Sequence, residues 1–131
     1  MIPEELNKLS DDKGISNAAV LWRRITPVWI VPDKNTGTKR VSSAAFYDSP
    51  DGSPLSMILA EKILASRTPQ EYLINFPGLY LASITAGTAR DNHQRVAQTG
   101  KDKAHISVIG DKTQSVRKAL AKAAVWVVNP V

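Results

Sequence analysis

Short apolar runs separated by turn residues dominate the first third of the chain and predict extended structure. The run AVLWRRI at residues 19–25 has the apolar composition of a strand. The next run, VWIVP at 28–32, is flanked by prolines that disfavour helical geometry in the residues before them. After turn residues, KRVSSAAFY at 39–47 is expected to pair back as a hairpin. We therefore expect residues 20–47 to form one antiparallel unit with its turn near Asn35 to Gly37.

Two longer segments carry the apolar spacing of amphipathic helices. The first is expected at residues 54–67, with Ser53 as its N-cap and one apolar stripe formed by Leu55, Ile58, Leu59, Ile63 and Leu64. The second is expected at 111–124, with Asp111 as N-cap, Gln114 after it, and an inward face formed by Val116, Ala119, Leu120 and Ala123. Between them, TPQE at 68–71 matches a capping box and predicts a short additional helix.

The remaining apolar runs complete a prediction of the fold class. LYLASIT at 79–85, AHISVI at 104–109 and VWVV at 125–128 predict strands, although the last run also fits a helix end. Residues 86–103 hold few large apolar side chains and are expected to form a long polar loop. We therefore predict an α+β fold, with a mainly antiparallel sheet of about five strands and about two or three helices packed on it. Residues 1–17 are expected to form a polar N-terminal arm, and residues 18–131 a single domain.

The composition excludes several kinds of site. None of the 131 residues is cysteine, which excludes disulfides, zinc–thiolate sites and a cysteine nucleophile. His93 and His105 lack the clustered carboxylates that a metal site needs, so no metal site is predicted, and no particular cofactor is indicated. The N-terminus is polar and no apolar run is long enough to span a bilayer. We therefore expect a soluble, cytoplasmic protein with no membrane partner.

Positive charge is concentrated in the last third of the chain. The formal net charge is +5, and residues 86–131 supply the excess with eight Lys and Arg against three Asp. This predicts a basic patch that would attract phosphate groups, nucleic acid or an acidic protein. Its members are Arg90, Arg95, Lys101, Lys103, Arg117, Lys118 and Lys122. The alternative is a solvated helix face, and the lack of interleaved aromatic residues makes support for nucleic acid weak.

A second candidate site surrounds the strand predicted at 104–109. Alternation along that strand places His105 and Ser107 on one face. Further along, Lys112 and Thr113 would add side-chain donors to the backbone N–H groups at a helix N-terminus, where an anion could bind. Alternatively, His105 only joins groups at the strand edge, and an aspartate cap fills the helix end. The nearby GDKT sequence at 110–113 matches a P-loop only weakly, because the upstream glycine that this motif requires is absent.

The consecutive arginines Arg23 and Arg24 must point to opposite faces of their strand. An arginine on a covered face needs a partner, and Asp48 or Glu61 would form a structural ion pair with it. An arginine on an open face would instead line a cleft and bind a phosphate or carboxylate group.

An arginine on one strand, a Ser-Ser pair on the next and then a helix resembles the layout of ADP-ribosyltransferase-like proteins. The resemblance covers residues 20–66, and it implies a nucleotide-using enzyme in which Arg24, Ser42 and Ser43 hold the nucleotide. That family commonly has a glutamate on a later strand, whereas no glutamate follows Glu71. The serines also fit a simpler role, because small residues let a helix pack closely across a sheet.

The sequence leaves several functions open. The preferred one is binding of a phosphate-bearing ligand, either a nucleotide or a nucleic acid. The first alternative is the nucleotide-using enzyme, with His105 added to its site, and the second is a protein-interaction module whose loop 86–103 meets an acidic partner. The candidate ligand-binding residues are Arg23, Arg24, Ser42, Ser43, Arg90, His93, Arg95, His105, Ser107, Lys112 and Thr113.

Overall fold

Residues 1–130, the part of the chain that this computed structural model describes, contain eight strands and five α-helices. The strands are β1 (Val20–Ile25), β2 (Ile30–Pro32), β3 (Lys39–Val41), β4 (Leu55–Leu59), β5 (Tyr80–Thr85), β6 (Arg95–Gln98), β7 (His105–Ile109) and β8 (Val125–Val128). The helices are α1 (Pro3–Leu6), α2 (Ala60–Leu64), α3 (Pro69–Tyr72), α4 (Ala86–Asp91) and α5 (Gln114–Ala123). Short 3₁₀ helices occur at Pro27–Trp29, Ser43–Phe46 and Leu73–Asn75. None of the described helices is long and apolar enough to cross a membrane.

Most of the strands belong to one antiparallel sheet. Its order is β6-β7-β4-β1-β5-β8, while β2 and β3 form a separate two-stranded sheet. The predicted α+β class with a mainly antiparallel sheet is confirmed. The main sheet has six strands rather than about five, because β4 and β6 lie in segments that we predicted as helix and loop.

The helix predicted at residues 54–67 is wrong over its first half, which forms β4. Leu55, Met57 and Leu59 are buried, and the residues between them are partly exposed. The four-residue spacing from Leu55 to Leu59 fits a helical stripe, but it is also a multiple of the two-residue repeat of a strand. Pairing favours the strand, because β4 lies between β1 and β7 in the sheet. Only α2 is helical, and its N-cap is Leu59 rather than Ser53.

The long loop predicted at residues 86–103 is also wrong, because this segment contains α4 and β6. The Thr85 hydroxyl caps α4 by accepting a hydrogen bond from the Thr88 N–H at 3.1 Å. Ala86 and Ala89 are fully buried, so α4 packs on the core through methyl groups. Side chains this small give little apolar signal in the sequence.

The predicted hairpin is confirmed in its central part, where β2 pairs with β3. Residues 20–47 do not form one antiparallel unit, however, since β1 belongs to the larger sheet. Strand β3 also ends before Ser42 and Ser43. The Ser42 hydroxyl instead accepts a hydrogen bond from the Ala44 N–H at 3.1 Å and caps a 3₁₀ helix. Both serines therefore lie outside the sheet.

Of the N-caps predicted for α3 and α5, the first is confirmed and the second is wrong. The capping box is confirmed at α3, where the Thr68 hydroxyl accepts from the Glu71 N–H at 3.1 Å and the Glu71 carboxylate accepts from the Thr68 N–H at 2.9 Å. Helix α5 is capped by Thr113, which accepts from the Val116 N–H at 3.2 Å, rather than by Asp111. The inward side chains of α5 include Val116 and Leu120 as predicted, whereas Ala123 is exposed.

The two faces of the main sheet are covered differently. Helix α5 and the 3₁₀ helix Ser43–Phe46 cover one face, which we call the core face, and its buried cluster includes Leu21, Ile25, Met57, Ile106 and Leu120. On the opposite face, the cleft face, Trp22 packs with α2 and α3 in a smaller cluster. On β4 and β7 the cleft face carries Ser56 and His105, which are only partly buried. Polar groups on this face are therefore accessible to a ligand.

The N-terminal arm is attached to the domain by arginines that we predicted in the basic patch. Arg90 donates hydrogen bonds to the carboxylate of Asp11 at 3.0 Å and to further oxygens of the arm. Arg95 donates to the carbonyl groups of Asn7 and Leu9 at 2.8 and 3.0 Å. These two guanidinium groups therefore form hydrogen bonds within the protein rather than with a bound anion.

Replacing Asp11 by asparagine should lower the free energy of unfolding by about 1–2 kcal/mol near neutral pH, because two hydrogen bonds to a charged carboxylate weaken. Burial raises the pKa of Asp11, but hydrogen bonds from the Val96 N–H and from Arg90 outweigh it and hold the pKa below its ordinary value. The stabilisation is thus present above the unfolded pKa of about 4 and is lost as pH falls through the folded pKa. Urea unfolding should show the difference between variant and wild type shrinking on acidification.

A matched control for Asp11 is Glu4→Gln, which alters the exposed Glu4–Lys8 pair and should change stability by less than about 0.5 kcal/mol. A difference between the Asp11 variant and wild type that stays constant from neutral to strongly acidic pH would contradict the role given to this carboxylate.

Candidate functional site

A cleft of about 700 Å³ opens on the cleft face beside α2, α3 and the segment before β7. We call it the cationic cleft. Its charged side chains are Arg24, Lys62, Arg67, Lys101, Asp102 and Lys103, and His105 also lines it. The volume lies within the range of pockets that bind small molecules such as nucleotides.

The arginines of this cleft are held by aromatic rings. The guanidinium carbon of Arg24 lies 4.1 Å from the ring centre of Phe76, and that of Arg67 lies 5.4 Å from the ring centre of Tyr72. The two rings are themselves in contact, with centres 5.2 Å apart. A stacked guanidinium keeps its N–H groups directed outward at its edge. Both arginines are therefore oriented before a ligand binds.

Tyr72 adds a hydroxyl group to the same cleft. This hydroxyl accepts a hydrogen bond from Arg24 at 3.3 Å. Burial raises the pKa of Tyr72, although the positive charge of Arg24 opposes the effect. The phenol thus stays protonated at neutral pH and can donate to a ligand oxygen while it accepts from Arg24.

The cationic cleft has a large excess of positive charge. Among the residues that the structure describes, five Lys and Arg side chains line it with a single carboxylate, that of Asp102. Within residues 1–130, none of these five cations forms a salt bridge. The carboxylate of Asp102 accepts a hydrogen bond from the Ala104 N–H at 2.9 Å. Cations gathered without paired counter-charges attract an anion, so the cleft has the electrostatics of an anion site.

A second basic cleft, of about 560 Å³, lies between β3 and α5. Its cations are Lys39, Arg40, Lys118 and Lys122, and it contains the carboxylate of Asp33. It has fewer cations than the cationic cleft and shares no residue with it. The second cleft therefore provides a matched comparison for the effect of surface charge alone.

A row of hydroxyl groups and one imidazole, which we call the polar row, crosses β4, β7 and the end of β6. Nδ1 of His105 lies 2.8 Å from Oγ1 of Thr99, and its Nε2 lies 3.2 Å from Oγ of Ser56. Oγ1 of Thr99 also lies 2.8 Å from Oγ of Ser107. Strand pairing explains the arrangement, because Ser56 is directly opposite Ser107 and His105 is two residues from Ser107 on the same face.

Among the predicted site residues, Arg24 and His105 are brought together in the cationic cleft. Ser107 lies beside His105 as predicted, since both contact the Thr99 hydroxyl. Ser43 lines the second cleft instead. Neither Ser42 nor Ser43 lines the cleft that contains Arg24, although the ADP-ribosyltransferase-like layout implies that these three residues hold one ligand.

Arg23 points to the core face and is bound by backbone groups. It donates to the carbonyl of Ala45 at 2.9 Å and to that of Ser56 at 3.0 Å. Burial, together with the charge of the neighbouring arginine, lowers the pKa of Arg23 to about 10. The predicted ion pair with Asp48 or Glu61 is wrong, because neither carboxylate forms a salt bridge with these arginines in the described part of the chain.

Lys112 is directed into the interior rather than toward an anion at the start of α5. Its Nζ lies 2.9 Å from a carboxylate oxygen of Asp48. It also donates to the carbonyls of Val108 and Gly110 at 2.9 and 3.0 Å. Burial lowers the pKa of Lys112, and the hydrogen bond and charge of Asp48 oppose this. The Thr113 hydroxyl oxygen accepts the capping hydrogen bond from the Val116 N–H, and the Lys112 ammonium is occupied by its three oxygen partners.

The other members of the predicted basic patch do not converge on one site. His93, a further predicted site residue, is exposed at the end of α4 with a φ of 65°. Arg117 lies 4.0 Å from the ring centre of Tyr47. Lys101 and Lys103 line the cationic cleft, whereas Lys118 and Lys122 line the second cleft. The basic side chains are therefore distributed between two clefts and the N-terminal arm.

Sequence reasoning missed several residues of these sites. Lys62 and Arg67 lie in a part of the chain where positive and negative charges balance, so net charge did not indicate them. Ser56 was missed because its segment was predicted as a helix. A strand assignment for β4 would have placed Ser56 on one face with the neighbouring His105, and alternation along the strand was the available signal.

Among residues 1–130, no group of three or more His, Cys, Asp or Glu side chains is arranged to hold a metal ion. No protein-family model, curated protein or solved structure matches this chain. Its function must therefore be inferred from the side chains described above.

Proposed function

We propose that this protein binds a phosphate-bearing ligand, a nucleotide or a nucleic acid segment, in the cationic cleft. The observation that supports this proposal is the convergence of five cations, none of them in a salt bridge within the described residues. They come from β1, from α2 and its following turn, and from the segment before β7. A cluster assembled from distant parts of the chain is costly to the fold through mutual repulsion, and a polyanion would offset that cost.

A phosphate group fits this cleft better than a single carboxylate does. Two of the cations are arginines, whose planar guanidinium groups form paired hydrogen bonds with phosphate oxygens. The lysines add mobile positive charges around them, and the Tyr72 hydroxyl adds a neutral donor. Several adjacent phosphates, as in a nucleoside triphosphate or a nucleic acid backbone, would engage more of the five cations at once.

Recognition in this proposal is centred on phosphate rather than on a base. Tyr72 and Phe76 stack on each other and on arginines, which leaves them poorly placed to stack on a base. The protein-interaction alternative assigned its contact to a loop at 86–103, and that segment instead contains α4 and β6.

The double variant Lys101→Glu with Lys103→Glu should weaken binding of a nucleoside triphosphate and of a short single-stranded oligonucleotide by at least about tenfold. Each reversal replaces an attractive charge of the cleft by a repulsive one. For the oligonucleotide, log affinity should fall linearly with log salt by about 0.7 for each neutralised phosphate. The variant should show a smaller salt slope. Fluorescence anisotropy with labelled ligands at several salt concentrations measures both quantities.

The matched control is Lys118→Glu with Lys122→Glu, which makes the same change of net charge in the second cleft. It should weaken binding by less than about threefold. Equal losses in the two double variants would show that net charge, not the cationic cleft, determines binding. Failure of the wild-type protein to bind either ligand at low salt would overturn the proposal, and binding of only one ligand would identify the source of the phosphate.

A further inference from the structure

The polar row contains the parts of an activated hydroxyl nucleophile. Such a nucleophile needs a base within hydrogen-bond reach and a third group that orients the base. Ser56, His105 and Thr99 stand in this relation to one another. We propose that Ser56 is a nucleophile activated by His105, that Thr99 positions the imidazole, and that this unit cleaves a polar acyl ester. The proposal goes beyond the anion binding proposed above and does not depend on it.

The hydrogen-bond pattern is consistent with a basic nitrogen facing Ser56. If Nδ1 of His105 carries the proton, it donates to Oγ1 of Thr99 at 2.8 Å. The Thr99 hydroxyl then donates its own hydrogen to Ser107 Oγ at 2.8 Å. Nε2 of His105 is left to accept the Ser56 hydroxyl proton across 3.2 Å. This is the tautomer that a general base requires, and a single direction of donation along the row produces it.

The backbone fixes the members of the row relative to one another. Ser56 and His105 lie on the paired strands β4 and β7, and the Thr99 N–H donates to the His105 carbonyl at 3.1 Å. The Ser56 carbonyl is held from the core face by Arg23 at 3.0 Å. Groups on adjacent strands keep their separation better than groups on loops. The geometry is therefore formed before a substrate binds.

A cavity gives a substrate access to Ser56. Its volume is about 480 Å³, and its polar lining consists of Ser49, Asp51, Ser53, Ser56, His105 and Ser107. Ser56 and His105 are both partly exposed. A wall so rich in hydroxyl groups suits a polar acyl group rather than an aliphatic one. His105 lies between this cavity and the cationic cleft, since it lines both.

The reaction proceeds in two balanced steps. Ser56 Oγ attacks the carbonyl carbon of the ester, and its proton passes to Nε2 of His105. The bond from the carbonyl carbon to the alcohol oxygen breaks, and His105 returns the proton to the departing oxygen, which leaves an alcohol and acyl-Ser56. Water then attacks the acyl carbon and gives its proton to His105, the bond from this carbon to Ser56 Oγ breaks, and His105 returns the proton to Ser56 Oγ. The products are a carboxylic acid and free Ser56, and no oxidant or reductant is needed.

A fluorophosphonate with a small uncharged alkyl group tests the nucleophile directly. Attack forms a bond from Ser56 Oγ to phosphorus, releases fluoride and transfers the serine proton to His105. Mass spectrometry of the full chain should show one added phosphonyl group, and peptide mapping should place it on Ser56. Ser56→Ala should abolish labelling. His105→Gln, whose amide can keep a hydrogen bond to Ser56, should slow labelling by about 100-fold.

Thr99 is a positioning residue and has its own test. Thr99→Val should slow labelling by about tenfold, while Thr99→Ser, which keeps the hydroxyl, should label at close to the wild-type rate. Ser43→Ala is the matched control and should label at the wild-type rate, because Ser43 lines the second cleft and belongs neither to the polar row nor to its cavity.

The outcomes separate catalysis from a structural role. Circular dichroism and thermal unfolding establish whether each variant is folded. If His105→Gln does not fold, the labelling of the wild type and the rates of Thr99→Val and Thr99→Ser still test the proposal. A wild-type Ser56 that stays unlabelled would overturn the proposal, as would equal rates in wild type and His105→Gln. Loss of anion binding in the Lys101 and Lys103 variant with unchanged labelling of Ser56 would separate the two proposals.

Discussion

Replacing Asp48 by alanine should lower the free energy of unfolding by about 3 kcal/mol at neutral pH, because a buried ammonium group loses its counter-charge. The Lys112 side chain is only 4% exposed, and Asp48 is the carboxylate that contacts it. The same Asp48 oxygen accepts a hydrogen bond from the Leu55 N–H at 3.0 Å, so the first residue of β4 loses a partner as well. Urea unfolding monitored by tryptophan fluorescence measures this loss.

The loss should become smaller at alkaline pH. Burial lowers the pKa of Lys112 below 10.5, whereas the hydrogen bond and the negative charge of Asp48 raise it. Without Asp48 the pKa of Lys112 is therefore lowered further. Between the lowered pKa and the ordinary one, the unfolded state binds more protons than the folded state. Stability of the Asp48→Ala variant therefore rises with pH in that window, because the isolated ammonium becomes neutral. The difference from wild type should narrow as the pH approaches about 10.

Lys8→Ala is the control for this ion pair, because Lys8 and Glu4 are 75% and 73% exposed. It should change stability by less than about 0.5 kcal/mol. The double variant Asp48→Ala with Lys112→Met should recover part of the loss, since no unpaired ammonium group is then buried at this position. An Asp48→Ala variant as stable as Lys8→Ala would contradict the buried pair.

Arg23→Ala should cost about 2–4 kcal/mol of unfolding free energy, because it leaves buried carbonyl groups without a donor and removes packed atoms. The guanidinium bridges the Ala45 carbonyl on the 3₁₀ helix and the Ser56 carbonyl on β4. It also lies 5.0 Å from the ring centre of Trp29. Thermal and urea unfolding of the variant should both show the loss.

Further substitutions at Arg23 distinguish hydrogen bonding from packing. Arg23→Met fills similar volume without donors and should recover only part of the loss. Arg23→Lys should also recover little, since an ammonium cannot reproduce the planar donor geometry or stack on a ring as guanidinium does. Lys34→Ala, at an exposed position, is the control. Full stability of Arg23→Met would show that the two carbonyl bonds make no net contribution.

The fold could be predicted where the spacing of apolar residues fitted only one type of secondary structure. β1, β5 and β7 each carry a run of apolar residues that is too short for a helix and bounded by turn signals, and all three are strands of the main sheet. β4 could not be identified in this way, because Leu55 and Leu59 satisfy both periods. In α4 the core contacts are made by alanine, which is common on exposed and buried helix faces alike. The secondary structure of both segments is decided by tertiary contacts, which are strand pairing for β4 and core packing for α4.

The candidate site was predictable only in part, because the sequence shows how many charged residues a segment has but not which of them lie together in the fold. The alternation of strand residues correctly placed His105 beside Ser107. The sum of charges indicated a basic last third, but the fold uses Arg90, Arg95 and Lys112 as internal ties. The cationic cleft instead draws on residues from three distant segments. Such a grouping depends on sheet order, which no local pattern contains.

The contact between the N-terminal arm and β6 has a consequence for self-association. β6 is the first strand in the sheet order, so its outer side faces no further strand of residues 1–130. There the Val96 N–H donates to the Asp11 carboxylate at 2.9 Å, and the Val96 carbonyl accepts from the Asp12 N–H at 2.8 Å. An open strand edge is a template for pairing with another chain and for aggregation. The arm occupies the outward N–H and carbonyl groups of Val96, and these two groups are therefore not free to pair with a strand of a second molecule.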